Sequence, residues 1–503
     1  MLTRTIARLI AGALFLSLAP DVHAYMVDIG YAALRNELAA STPTGAAVRV
    51  GHVEAPINDV SGGASPIFMP DPSHGEFSGK TITAITPNLS GSFSGHATTV
   101  GTLFYGATGS IAPGITQINS YEANHWLSGL YLSSPNPNTN GQATTSPDRI
   151  LNHSWVGGGQ TAATDSTILR LVDRQAALNE SIQVVGLTNG PDTSPLLGGS
   201  GYNVIAVGRT DGFHQQNSVA VDTVYRPGRT VPTLVAPMGT TSAATPIVSA
   251  AAALLVQTGH QGELTLSEGS TTIAGVGTVY NAERSETIKA VLMAGADRET
   301  ASSSTTADIT DYRSAGHETT NGLDSRYGAG QINIYNSYRI LAGGEQRSLQ
   351  NGGGDIAAFG FDHGTIGGLN GTGHTASYFF NATGDVTLFA SLVWNLDVSN
   401  DALLTTQFYN LDLALFDVTN NQLVASSTSL LDNTENLYFN LLLGNRYEMR
   451  VTTNESTNFS WDYALAWRMD AAPAPVPVPA AAWLFATGTL GLLPFTRRRP
   501  VSS

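Results

Sequence analysis

The 503-residue chain contains no cysteine. That excludes thiol catalysis, thiolate metal sites and disulfide staples, so stability must come from burial, and export cannot be read from a disulfide pattern. Charge is sparse too, at 13% of residues with a net of -15 and very little lysine. No basic surface is on offer to neutralise a phosphate backbone, which sets nucleic acid aside as a partner. No metal-binding spacing stands out. What is abundant is small and polar: Gly, Ser, Thr and Asn, a composition common in strand-rich, loop-rich secreted proteins.

At this length one large core and a smaller second one are expected. Residues 1-24 carry Arg4 and Arg8, an apolar run Leu9 to Leu18, and Val22-His23-Ala24. The run is too short to span about 30 Å of hydrocarbon, so the segment reads as a signal peptide cleaved after Ala24, with a retained anchor as the alternative. Residues 25-45 predict one amphipathic helix bearing Val27, Tyr31, Leu34 and Leu38, too short for a folded inhibitory pro-domain.

From 46 to 342 short apolar runs alternate with helical stretches. The runs are Val48 to Val53, Arg149 to Asn152, Gln183 to Val185 and Val204 to Val207; the helices are Thr98 to Leu103, Ser166 to Asn179, Ala243 to Gln257 and Ser285 to Ala294. This predicts an α/β domain, a parallel sheet covered by helices. After a Gly-rich linker, 343-355, residues 356-470 show consecutive strands with two-residue alternation and polar turns, which predicts an all-β sandwich. Residues 471-503 form a Pro/Ala linker, a short apolar run Ala480 to Phe495 and Arg497-Arg498-Arg499, a membrane segment with its basic end in the cytoplasm.

The strongest chemical signal is Gly239-Thr240-Thr241-Ser242-Ala243-Ala244-Thr245-Pro246, ahead of a long Ala-rich apolar stretch. It puts Ser242 in the first turn of a buried helix, where unpaired N–H groups and the positive dipole end stabilise a developing anion. Pro246 fits only near a helix start. Taken alone, such a serine is more often a cap than a nucleophile. The whole string, however, resembles the nucleophile motif of subtilases, the subtilisin-like serine proteases, G-T-S-x-A-T-P with one additional threonine.

That resemblance requires an acid and then a histidine upstream of the serine. Gly95-His96-Ala97-Thr98-Thr99-Val100-Gly101 resembles the family's H-G-T-H-V-A-G helix start, with Thr99 at its second histidine and Ala97 at its first glycine. It implies that His96 takes the Ser242 proton and returns it to the leaving amine. Val48-Arg49-Val50-Gly51-His52-Val53-Glu54 matches the first core strand with Glu54 where the family has aspartate; Asp59 is the reserve and Asp28 a more distant choice. The extra methylene of glutamate requires a shift of rotamer or backbone. Gln183 to Gly190 stands where the family has a strand leading to its oxyanion asparagine, which implies Asn189 as that donor, a contact worth roughly 3 to 4 kcal/mol of barrier. Without its neighbours, Asn189-Gly190 would be a turn. Leu151 to Gly158 resembles the family's substrate-binding strand, so Ser154, Trp155, Val156 and Gly157 would pair with an extended peptide. Ser285 to Ala294 and Ser325 to Asn333 resemble the domain's closing helix and Gly-x-Gly turn. His52 and His153, on apparent strands, read as core or rim histidines.

The resemblance implies a subtilisin-like fold, protein or peptide substrates and an acyl-enzyme, with no cofactor required; structural calcium, common in that family, has no assignable ligands here. Two alternatives follow. One is a catalytically inactive subtilase fold acting as a surface binding or structural protein. The other, an esterase or lipase, lacks the Gly-x-Ser-x-Gly elbow and has the wrong triad order. Residues 356-470, through Leu392-Val393-Trp394-Asn395 and Leu411 to Asp417, resemble the jelly-roll domains appended to secreted bacterial proteases, either stabilising or binding glycan or substrate. The tail, Val476 to Phe485 with its apolar run and arginines, resembles the PEP-CTERM sorting signal of Gram-negative bacteria without its Pro-Glu pair. This implies an exported protein, membrane-associated or secreted after an exosortase removes the tail, with a permanent anchor as the other outcome.

Overall fold

A computed structural model describes residues 24–57, 65–128, 132, 146–159, 161–300, 309, 311–368, 374–399, 403–453 and 459–471. The signal segment, the sorting tail and the reserve acid Asp59 lie outside these residues.

Where the periodicity predicts a single N-terminal helix there are two, α1 (Ala24–Asp28) and α2 (Tyr31–Leu38). Gly30 between them is left-handed at φ 76°, and a Cβ there would sit 2.4 Å from Asn333 Oδ1. The break turns Ile29 inward, where its carbonyl accepts from Ile334 N, and leaves Val27 exposed.

The strands β1 (Arg49–Glu54), β2 (Thr81–Ala84), β3 (Gln117–Glu122), β4 (Ile150–His153), β5 (Ile182–Gly186), β6 (Val204–Arg209) and β7 (Leu234–Ala236) form one parallel sheet in the order β2-β3-β1-β4-β5-β6-β7. Register runs Glu54↔Glu122, Val53↔His153 and His153↔Val185, so the three central strands end level with one another. Sequence reading finds four of these seven strands. It misses β3 because Gln117-Ile118-Asn119-Ser120-Tyr121-Glu122 reads as polar. The strand is nonetheless buried, since Asn119 Nδ2 and the Tyr121 hydroxyl both donate at 2.8 Å to the buried carboxylate of Asp148.

Helices α3 (Gly95–Tyr105), α4 (Ala123–Ser128), α5 (Ala162–Asn179), α6 (Thr241–Leu266), α7 (Ser285–Gly295) and α8 (Ile334–Ala342) cover the two faces. Val50, Ile150, Val184 and Ile205 share a core with α3, α6, α7 and α8, while Val53, Leu151, Val185 and Val204 point to the other side, against α4 and α5. Alternate strand residues face opposite layers, as both-sided burial requires. The long, apolar α6 lies at the centre of the first core. A hairpin, β8 (Ser270–Ile273) and β9 (Gly277–Tyr280), follows it.

Beyond the linker stand β10 (Phe359–Gly368), β11 (Thr375–Asn381), β12 (Val386–Val393), the short pair β13 (Asp397–Val398) and β14 (Thr406–Gln407), β15 (Leu411–Asp417), β16 (Gln422–Ser427), β17 (Thr434–Leu441), β18 (Arg446–Thr453) and β19 (Phe459–Ala471). Eight of them make two antiparallel sheets, β10-β19-β12-β17 and β11-β18-β15-β16, which enclose their own aromatic-rich core. The sandwich is seated on α7. Arg468 donates from Nε to Ala294 O at 2.9 Å and from Nη2 to Ala296 O at 3.0 Å, closing the end of that helix. Asn203 and Leu396 exchange two further bonds across the junction.

The Gly-x-Gly turn locks the last part of the α/β domain. Gly330 has φ 107°, and a Cβ there would lie 2.2 Å from Asp297 O. Gly330→Ala is therefore expected to lower stability by about 3 kcal/mol, read as a shift in urea midpoint at unchanged slope.

Candidate active site

The C-terminal ends of β1, β4 and β5 and the first turns of α3 and α6 meet along one edge of the sheet. Both helices begin alike. Ser94 caps α3 by accepting from Ala97 N, which makes His96 its second residue. Thr240 caps α6 by accepting from Ala243 N, which makes Ser242 the second residue there. Ser242 is thus not the cap, and its hydroxyl is left free of that duty.

His96 and Glu54 are joined directly, with Nδ1 2.8 Å from Oε1. The carboxylate is buried at 3% side-chain exposure, whereas the imidazole stands 42% exposed. Burial pushes the Glu54 carboxyl up, but the facing His52 ring and the hydrogen bond with His96 outweigh it and hold the group below the usual glutamate range. The hydrogen bond to Glu54 in turn raises His96 above an ordinary histidine, against its partial burial. An imidazole held this way at Nδ1 presents Nε2 as a base.

The first turn of α6 is tied to the strand ends on its other side. Thr241 N donates to Asn189 Oδ1 at 2.8 Å, and the Thr241 hydroxyl donates to Leu187 O at 2.5 Å. Asn189 Oδ1 is thereby engaged by the first turn of α6. Neither Nδ2 nor the Ser242 N–H donates a hydrogen bond among the described residues.

Pro246 has no N–H to give to the carbonyl four residues back, which is Ser242 O. That carbonyl accepts instead from the Ser154 hydroxyl at 3.0 Å. Ser154 accepts in turn from Asn152 Nδ2, whose Oδ1 is held by Ser249 within α6. Ser154 therefore holds the first turn of the Ser242 helix, a role that its position in the sequence does not announce. The segment after it leaves the sheet: Gly157 is bound to Ser194, Trp155 packs against His153, and Val156 is exposed.

The structure thus gathers Glu54, His96, Ser154, Asn189 and Ser242 on one edge. It does not join Ser242 to His96, because the Ser242 hydroxyl makes no hydrogen bond among the described residues. Asp28 lies elsewhere, at the end of α1, its carbonyl accepting from Gln331. Buried His153 is bonded to Gln183 and pushed down to about 4 by burial, so its ring is neutral. No cluster of three or more metal-ligating side chains occurs among the described residues. Sequence reading leaves His52 in the core, yet its Nε2 lies 3.4 Å from Glu54 Oε2.

No protein-family model matches the chain, and no curated protein matches it. Among solved structures it is similar to the prenylagaramide maturation protease PagA, at 15% identity and a TM-score of 0.36, covering 62% of this chain and 99% of that one. It is also similar to a cold-adapted subtilisin-like serine proteinase, at 16% identity and a TM-score of 0.31, covering 53% of this chain and 88% of that one. A pre-peptidase C-terminal domain of collagenase from Bacillus anthracis is similar at 19% identity and a TM-score of 0.16, covering 21% of this chain and 89% of that one. These are distant likenesses of form.

The His96–Glu54 contact has a measurable consequence. By nuclear magnetic resonance His96 should titrate above the ordinary histidine value of about 6.5, and Glu54→Gln should bring its midpoint down. The raised His96 pKa contributes stability that is present below the unfolded value and is lost as pH rises through the folded one. The lowered Glu54 pKa contributes stability that is lost as pH falls through it. The wild type should therefore exceed Glu54→Gln most between these two pKa values, as measured by denaturation at a series of pH values.

Proposed function

We propose that the chain is a serine endopeptidase of the subtilisin-like type, cleaving peptide bonds through an acyl-enzyme on Ser242. The observation that carries this is the 2.8 Å bond from His96 to a buried carboxylate, set beside a helix whose second residue is a serine relieved of capping. His96 Nε2 would take the Ser242 proton as Oγ attacks the substrate carbonyl and return it to the leaving amine. Glu54 would hold the tautomer and stabilise the imidazolium. Ser242 N–H and Asn189 Nδ2, both unengaged, suit the oxyanion. Trp155 and the exposed Val156 suit a peptide strand laid beside them, whereas the Gly157 N–H and carbonyl are already bonded to Ser194 and Leu196. In resting serine enzymes the nucleophile–base bond is often long and closes only with substrate.

An inactive, surface-binding reading is favoured by one observation, the unbonded Ser242 hydroxyl. A fluorophosphonate separates the two readings. It should label the wild type and fail on Ser242→Ala and His96→Ala; a wild type that never labels points to the binding protein. With an active enzyme, kcat/KM should rise with pH through the elevated His96 pKa, since only the neutral ring accepts a proton. Asn189→Leu should lose about 10²- to 10³-fold in kcat with KM little changed. Glu54→Gln should be crippling where Asp59→Asn is not, as steady-state rates will tell.

We infer export as well, from the signal-like segment and the apolar, arginine-ended tail, both outside the described residues.

A further inference from the structure

Glutamate has one more rotatable bond than aspartate, and a carboxylate held at a single oxygen swings about it. Among the described residues no backbone N–H donates to the Glu54 carboxylate. Its Oε1 is held by His96, and its Oε2 is buried with only the His52 ring in front of it, Nε2 at 3.4 Å. That separation exceeds a well-formed hydrogen bond, yet neither of the two buried atoms has another partner among the described residues.

The His52 ring is oriented from behind. Its Nδ1 lies 3.0 Å from the hydroxyl of Tyr105 at the end of α3, with the two rings edge to face. Tyr105 is fully buried and its hydroxyl can donate or accept; because Nε2 faces a buried carboxylate oxygen with no other partner among the described residues, Nε2 carries the proton and Nδ1 accepts from the phenol. The proton of a neutral His52 ring then sits on Nε2, facing Oε2. The path Tyr105–His52–Glu54–His96 runs from the far end of α3 back to its start.

We propose that His52 is a positioning residue, its Nε2–H fixing the second oxygen of Glu54 so that the first stays on His96 while that ring takes up and releases a proton. The proposal rests on the serine-protease reading of the site. It explains how this chain uses glutamate for a task that aspartate performs in the family it resembles: the longer arm is clamped at both oxygens.

The test compares His52→Leu, His52→Gln and Tyr105→Phe in the full chain, reading kcat and KM on a peptide substrate and the low-field proton resonance of His96 Nδ1–H. His52→Leu should lose about 10- to 100-fold in kcat with KM nearly unchanged, and its resonance should broaden as the carboxylate loosens. His52→Gln, whose amide restores an N–H near Nε2, should recover most of the rate. Should His52→Leu fold poorly, Tyr105→Phe, which deletes only the orienting hydroxyl, is expected to show the same changes more weakly. Unchanged kcat and an intact resonance in the folded variants overturn the proposal. If the wild type proves inert toward fluorophosphonate, the proteolytic reading fails, and the resonance alone decides: intact in His52→Leu it overturns positioning, lost it upholds it.

Discussion

A carboxylate cannot sit in a dry interior without donors, and the edge of this sheet is organised around that requirement at Glu54. Its strand is the third of seven, and the side chain itself is only 3% exposed. Two imidazoles face it, one on its own strand and one at the start of α3. Every other feature of the site inherits its placement from the same edge. β4 delivers Ser154 and β5 delivers Asn189, and each grips the opening turn of α6 from a different direction.

The second organising element is the proline in that helix. Four residues after the serine it withholds one backbone donor, and the carbonyl left over becomes a handle by which β4 holds the helix. The cap is supplied one residue before the expected string begins its helix, by Thr240. Thr241 stands between the cap and Ser242 and is consumed in bonds to Leu187 and Asn189.

Much of this was legible in the sequence, because Ser242, His96 and Asn189 each sit in a short string whose neighbours dictate local geometry. Four of the strands were legible because Val, Ile and Leu cluster in them, although His52, Asn152, His153 and Gln183 are buried among those residues. What escaped were features that only distant contacts create. β3 looks polar until Asp148 is placed beside it, and the N-terminal helix looks continuous until Asn333 crowds Gly30. His52 is an unremarkable strand residue until the fold aims it at Glu54, and Ser154 looks like part of a substrate strand until Pro246 frees a carbonyl for it. The choice among Glu54, Asp59 and Asp28 could not be made from order along the chain; contact with His96 favours Glu54 because both groups are brought to the same strand end.

The grip of Arg468 on the end of α7 also bears on survival. With no covalent cross-links, resistance to digestion depends on how rarely a segment opens far enough to enter another molecule's cleft. A sandwich that detached freely would bare the α7 surface at each excursion and offer the stretch between the two bodies as a cleavage point. Buried guanidinium and amide contacts fasten the two bodies to each other, so that stretch is exposed only when the contacts on both sides of it open together.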